Sequence, residues 1–176
     1  MEFSGDVMET GEAVNSLKEG GRVIGVANTK ALAEEYRLAD RKLLWMIPPG
    51  VAYEDTAPLP ISYGTPILAL EWRAKTQSGE TVLVTAAAGA TGLATLYVAT
   101  NVLKAKVIAA AGSDSKCDLA LRKGAVQSVN YSSASLREEV MKLTENNGAD
   151  MVIDTVGGDI FKEAFQTWAL HLLHTP

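Results

Sequence analysis

The chain has 176 residues, 47% hydrophobic and 21% charged, with a formal net charge of −5. This is the balance of a globular protein able to bury a sizeable core, and scattered basic residues on an acidic chain exclude nucleic-acid binding as the main task. The single cysteine, Cys117, excludes an intrachain disulfide and a cysteine-based zinc cluster.

Cysteine usage points to a reducing compartment, cytoplasm or mitochondrial matrix. No apolar run approaches the roughly 20 residues that span a bilayer. Residues 1–6 also lack the basic and apolar regions of a signal peptide.

In chain order, short β-like pieces come first, over 3–8 and 20–26. A polar, partly helical stretch is predicted over 30–38. A further strand over 44–47 is closed by the turn signal Pro48-Pro49-Gly50. Pro58 and Pro60 mark a junction that divides 1–57 from 58–176. Ile67, Leu68, Leu70 and Trp72 suit a helix over 61–75 with Pro66 near its start.

Beyond Ser78-Gly79 the pattern becomes regular. Strands are predicted over 81–85, 107–111, 127–131 and 151–154, with helices over 91–103, 114–123 and 135–146 and a last one from Asp159. Short apolar strands alternating with helices give an α/β fold with a parallel, doubly wound sheet. In the last helix Phe161, Phe165, Trp168 and Leu172 form an apolar stripe, expected to lie on a sheet face. No strand follows before Pro176, so the architecture reads as unfinished.

The strongest chemical signal is Ala86-Ala87-Ala88-Gly89-Ala90-Thr91-Gly92, between a strand and a helix. A pyrophosphate on a helix N-terminus needs small residues there, so that backbone N–H groups reach its oxygens. Gly89 would allow the close approach, and Gly92 would let the helix pack tightly. Alanine replaces the first glycine of the usual fingerprint, so the strand–turn–helix setting carries the reading. The plain alternative is a tight turn that holds no nucleotide.

The end of the second parallel strand discriminates between cofactors. An NAD site usually carries an acidic residue there, roughly 20 residues after the loop. Here the strand ends Ala111-Gly112-Ser113, leaving room for a 2′-phosphate whose counter-charge Lys116 would supply. Asp114 argues the other way, and Lys116 also reads as a solvated surface residue. Tyr131, ending the third strand, could bond the same phosphate or simply cap the sheet edge.

In order, Glu2-Phe3-Ser4-Gly5-Asp6-Val7, Gly21-Arg22-Val23-Ile24-Gly25, Ala86 to Gly92, Ser113-Asp114-Ser115-Lys116, Gly124-Ala125, Asn130-Tyr131 and Asp154-Thr155-Val156-Gly157-Gly158 line up with one family. The sequence resembles the medium-chain dehydrogenase/reductase superfamily in its zinc-independent quinone oxidoreductase (zeta-crystallin-like) branch. The resemblance implies a partial GroES-like catalytic domain over 1–57 and a Rossmann cofactor domain over 58–176, incomplete at its C-terminus.

It matches Ala88, Gly89, Ala90, Thr91 and Gly92 to the pyrophosphate loop. Ser113, Lys116 and Tyr131 match the positions that hold the 2′-phosphate of NADPH. Thr65 matches a residue near the nicotinamide, and Val156 and Gly157 match a turn beside the cofactor. The implied activity is NADPH-dependent reduction of a quinone or an α,β-unsaturated carbonyl. The implied partner is that small molecule, with no nucleic acid and no membrane.

The departures also count. Zinc-dependent relatives carry Gly-His-Glu where this chain begins Met1-Glu2, and they carry a four-cysteine lobe that is missing here. His171 and His174 are three apart but lack an acidic or cysteine partner, so they read as tail histidines and no metal is expected. Cys117 reads as a small helix residue.

Family members are about twice this length, as two full domains require. The chain therefore reads as a truncated product, with its substrate-contacting segment upstream of Met1 and its last Rossmann strands beyond Pro176. No catalytic residue is assigned. With strand order 3-2-1-4-5-6, the fourth strand would form an exposed apolar edge, with a marginal fold and weak NADPH affinity. Relatives are often homodimers through the edge this reading removes.

The alternative is a non-catalytic nucleotide-binding or interaction protein derived from such an enzyme. A methyltransferase using S-adenosylmethionine would want an acidic end to the second strand and a more glycine-rich loop.

Overall fold

Residues 1–27, 31–36 and 43–168 are described in the computed structural model of the protein. The chain forms two units, Met1–Gly64 and Thr65–Pro176, against a sequence junction expected at 57/58.

The first unit holds strands β1 (Glu2–Asp6), β2 (Arg22–Val26) and β3 (Leu44–Met46), antiparallel in the order β1-β2-β3. Gly25 pairs with Phe3 on one side and Leu44 on the other. A Cβ there would lie 2.6 Å from both of their side chains, so glycine is what lets the two apolar groups close over β2.

A short helix, α1 (Tyr53–Thr56), follows the Pro48-Pro49-Gly50 turn and was not expected from the sequence. Polar ties hold it to the sheet. The Tyr53 hydroxyl donates to Asp6 Oδ1 at 2.5 Å, and Ser4 Oγ donates to Tyr53 O at 3.0 Å. The Arg22 guanidinium lies 4.2 Å from the Tyr53 ring centre and donates to Val51 O.

Of the helix predicted over 30–38, residues 32–35 are bends, 31 and 36 are irregular, and the remaining positions lie outside the described residues. Leu32 is exposed. Tyr36 packs its ring 6.2 Å from that of Phe3, but one such contact in a segment that short does not offset the cost of helix nucleation.

Helix α2 (Leu59–Pro66) runs on into a π-helical stretch over Ile67–Arg73. Pro66 therefore sits inside the helical segment, not near its start. It has no N–H to donate one turn back, and beyond it the hydrogen bonding widens, with Ala74 N–H reaching Ala69 O.

The second unit is built on β4 (Thr81–Val84), β5 (Lys106–Ala111), β6 (Gln127–Asn130) and β7 (Met151–Ile153). All pairings are parallel, in the order β6-β5-β4-β7. Counted within this sheet the order is 3-2-1-4, as the resemblance implied. Val82, Leu83 and Val84 of β4 are fully buried, as expected for a strand covered on both faces.

On one face Leu83, Ile108, Ala110 and Val129 pack with Leu136 and Val140 of α5 (Leu136–Leu143) and Ala164 of α6 (Gly158–Phe165). Helices α3 (Ala90–Tyr97), with its π-helical continuation Val98–Val102, and α4 (Asp114–Arg122) contact β4 and β5. Among the described residues strand β7 is an edge strand of this sheet, paired with β4 alone, and its residues are half-buried. No helix among the described residues is long and apolar enough to cross a membrane.

The expected apolar stripe is not the buried face of the last helix. That helix ends at Phe165, and its packed side is Ile160 and Ala164, four apart on the core cluster. Phe161 and Phe165 are exposed and stack on each other with ring centres 6.0 Å apart. Trp168 lies past the helix, bridged to Ala149, and its indole N–H donates to Asp150 O at 3.1 Å. Leu172 lies outside the described residues.

Candidate functional site

Parallel strands release their chain at the same edge, so the loops following β4, β5, β6 and β7 converge at the carboxyl edge of the sheet. Strand order reverses between β4 and β7, and ligands of open α/β sheets bind at such a switch point.

The first loop follows β4. Ala86 takes a positive φ of 45°, and Gly89 N–H turns back to Ala86 O at 2.8 Å. Ala87 N–H is anchored on Ala110 O of the neighbouring strand. Gly89 is then the N-cap of α3, and Leu93 N–H bonds to Gly89 O. The N–H groups of Ala90 and Thr91 stand at the helix start, before the internal ladder begins.

A Cβ on Gly92 would lie 2.4 Å from Ala86 O and 2.7 Å from Ala87 Cα. Glycine is compulsory there, because the first turn of α3 rests directly on the loop backbone. Gly89 and Ala90 are exposed and Ala88 is half-buried, so the small-residue surface is open to an anion.

The second loop follows β5. Ser113 is the N-cap of α4, with its hydroxyl 3.2 Å from that of Ser115, and its carbonyl accepts from Lys116 and Cys117 N–H. Lys116 is exposed and, among the described residues, has no ion-pair partner. Tyr131, after β6, lies beside this corner, since a Cβ built on Gly112 would be 3.3 Å from its ring and 3.5 Å from its hydroxyl.

Two residues here have roles that the sequence did not assign. Asn130 donates its side-chain amide to Asp114 Oδ1 at 2.7 Å, and Ser132 Oγ donates to Gly112 O at 3.0 Å. Asp114, the acid that argued against a 2′-phosphate, is thus engaged by Asn130.

The third loop follows β7. Asp154 accepts the Thr85 hydroxyl on Oδ1 at 2.6 Å and Gly157 N–H on Oδ2 at 2.8 Å. Thr155 N–H in turn donates to Thr85 Oγ1. Thr85 is fully buried, Val156 is exposed, and Gly157 takes a φ of 78°. Neither Thr85 nor Asp154 was given a role by the sequence reading. The available signal was a charged residue closing an otherwise apolar strand.

The edge therefore brings together Ala88 to Gly92, Ser113, Lys116, Tyr131, Val156 and Gly157. Thr65 is exposed in α2, and no hydrogen bond ties it to the glycine loop.

Among the described residues no three of His, Cys, Asp and Glu come together to hold a metal, and His171 and His174 lie outside those residues. Cys117 is buried in α4, and burial is the main cause that pushes its thiol above the ordinary cysteine range. That makes it a packing residue, not a thiolate ligand or nucleophile.

A parallel sheet with this order and a small-residue loop feeding α3 defines a Rossmann-type α/β domain. The family described as zinc-binding dehydrogenase matches residues 90–171. Quinone oxidoreductase-like protein 2 of Bos taurus is 61% identical over 169 residues, 96% of this chain and 48% of the relative. Among solved structures, a quinone oxidoreductase of Pseudomonas syringae superposes with a TM-score of 0.90 at 28% identity, over 96% of this chain and 51% of that one.

The Escherichia coli quinone oxidoreductase complexed with NADPH gives 0.89 at 26% identity, over 95% and 51%. The chain belongs to the medium-chain dehydrogenase/reductase superfamily, in its quinone oxidoreductase branch. It spans about half the length of the curated relatives it matches.

Proposed function

We propose that the chain binds NADPH along the carboxyl edge of its parallel sheet and serves in reducing quinones or α,β-unsaturated carbonyls. The reading rests on one observation: the glycine loop at the start of α3, the Ser113–Lys116–Tyr131 corner and the turn after β7 share that edge, on both sides of the switch point.

The residues present suit this cofactor. Ala88, Gly89, Ala90 and Thr91 offer small surface and backbone N–H groups to the pyrophosphate, and Gly92 keeps the helix close enough for them to reach it. Ser113 Oγ, Lys116 Nζ and the Tyr131 hydroxyl are hydrogen-bond donors suited to a 2′-phosphate, and Lys116 adds its positive charge. The Asn130–Asp114 hydrogen bond restrains the one carboxylate that would repel it.

Val156 and Gly157 border the other half of the dinucleotide, with Thr65 assigned to the nicotinamide vicinity. Bound here, NADPH would supply a hydride to the electrophilic carbon, and water would protonate the reduced oxygen. The chain's own contribution is binding and orientation.

Turnover is the direct test: purified chain, NADPH and a simple quinone, followed by loss of NADPH absorbance. Quinone-dependent oxidation that requires folded protein is the expected result. Saturable NADPH binding without turnover would restrict the chain to cofactor binding and remove the reductase half of the proposal.

A further inference from the structure

The Thr85–Asp154 pair is the remaining side-chain network at the switch point. Asp154 uses both carboxylate oxygens, one on the Thr85 hydroxyl at 2.6 Å and one on Gly157 N–H at 2.8 Å. Thr85 Oγ1 also accepts Thr155 N–H at 3.1 Å, and Thr85 N–H donates to Ile153 O at 3.0 Å. Thr85 is fully buried and directly precedes the glycine loop.

One end of the network is therefore fixed in the sheet. The other holds a turn whose Gly157 sits at a φ of 78°. A Cβ built there would meet nothing within 4 Å, so no neighbouring group crowds the turn at that position, and the Asp154 carboxylate is a hydrogen-bond partner of its backbone.

We propose that Asp154, fixed by Thr85, is the positioning residue that shapes the Val156–Gly157 turn to receive the nicotinamide half of the bound dinucleotide. The inference rests on the NADPH reading above. With the 2′-phosphate at the Ser113–Lys116–Tyr131 corner and the pyrophosphate at the start of α3, the rest of the molecule extends across β4 toward β7. Among the loops that follow the described strands of this sheet, the β7 turn stands at that end of the edge.

The pair thus acts on one half of the ligand. An Asp154→Asn variant keeps an oxygen to accept from Thr85, but an amide N–H₂ would face Gly157 N–H, donor against donor. Thr85→Val removes the tether from the other side at nearly the same volume, and Thr85→Ser retains the hydroxyl.

The experiment is calorimetric titration of the full chain and these variants with NADPH and with 2′,5′-ADP, which carries the 2′-phosphate and no nicotinamide. Thermal melts run alongside. Wild-type protein is expected to bind both ligands. Asp154→Asn and Thr85→Val should weaken NADPH by about tenfold, the scale of one charge-assisted hydrogen bond, and leave 2′,5′-ADP unchanged. Thr85→Ser should restore NADPH affinity.

Equal weakening of both ligands, or a lowered melting temperature that accounts for the loss, would assign the pair to general stability and overturn the proposal. So would unchanged NADPH affinity in both variants. If folded wild-type protein bound neither ligand, the NADPH reading itself would fall, and this inference with it.

Discussion

Strand β2 of the antiparallel sheet buries Val23 and Gly25 on one side only, whereas β4 of the parallel sheet buries Val82, Leu83 and Val84 in unbroken succession. The first unit makes up for its thin core with side-chain ties, Tyr53 to Asp6, Ser4 to the backbone of α1 and Arg22 to the turn before it. The second relies on a layered apolar cluster, with polar ties such as Ser135 to Glu163 between its helices and Thr85 to Asp154 at the carboxyl edge of its sheet. Two sheets in one chain thus show two ways to fix a backbone. The dry one leaves its loop ends free for a ligand.

Core truncation should separate the units most widely. Leu83→Ala is expected to cost about 2–5 kcal/mol, since it opens a cavity in a fully buried layer. Val23→Ala should cost about 1.5 kcal/mol, from two methyl groups on a one-sided face. Urea titrations followed by circular dichroism measure both, and equal costs would end the contrast.

Glycine substitution gives the next contrast. Gly92→Ala forces a Cβ into the loop backbone and should cost about 1–3 kcal/mol while abolishing NADPH binding. Gly5→Ala in β1 meets nothing within 4 Å and should shift stability by no more than about 0.5 kcal/mol. Thermal melts of the two variants, with an NADPH titration of the first, sharpen or break this expectation.

The smallest effect concerns Cys117. Its raised pKa means that the folded state favours the protonated thiol. The associated stability is present below the unfolded-state pKa and declines as pH rises through the folded value. Alkylation at neutral pH should accordingly be slower in the native chain than in urea. Equal rates would mean that α4 does not bury the thiol.

Periodicity made the second unit legible. Continuous apolar runs such as Val82-Leu83-Val84 and Val107-Ile108 have one reading, a strand covered on both faces, and the order 3-2-1-4 followed from the family resemblance. The glycine loop was legible because small residues at a strand–helix junction carry a steric reason, which Gly92 bears out in its 2.4 Å clearance.

Other features were decided by tertiary contacts. The Phe161–Phe165 stripe reads as a buried face, but the smaller Ile160–Ala164 face packs closer to the core. Of the helix predicted over 30–38, the described residues 31–36 are mostly exposed, and Tyr36 is held against Phe3 of β1 without a helical turn. Pro66 fits inside a helical segment because the backbone widens after it, and sequence spacing carries no sign of that. The roles of Thr85, Asp154 and Asn130 depend on pairings across strands, such as Thr85 to Asp154, 69 positions apart.

The most direct measurement is a fluorescence titration of the full chain and of Lys116→Ala with NADPH and with NADH. The expected result is saturable binding with NADPH preferred in the wild type, and a preference lowered about tenfold or more in Lys116→Ala through NADPH alone. No binding by folded wild-type protein, or a Lys116→Ala variant that keeps the full preference, would contradict the assignment of this edge.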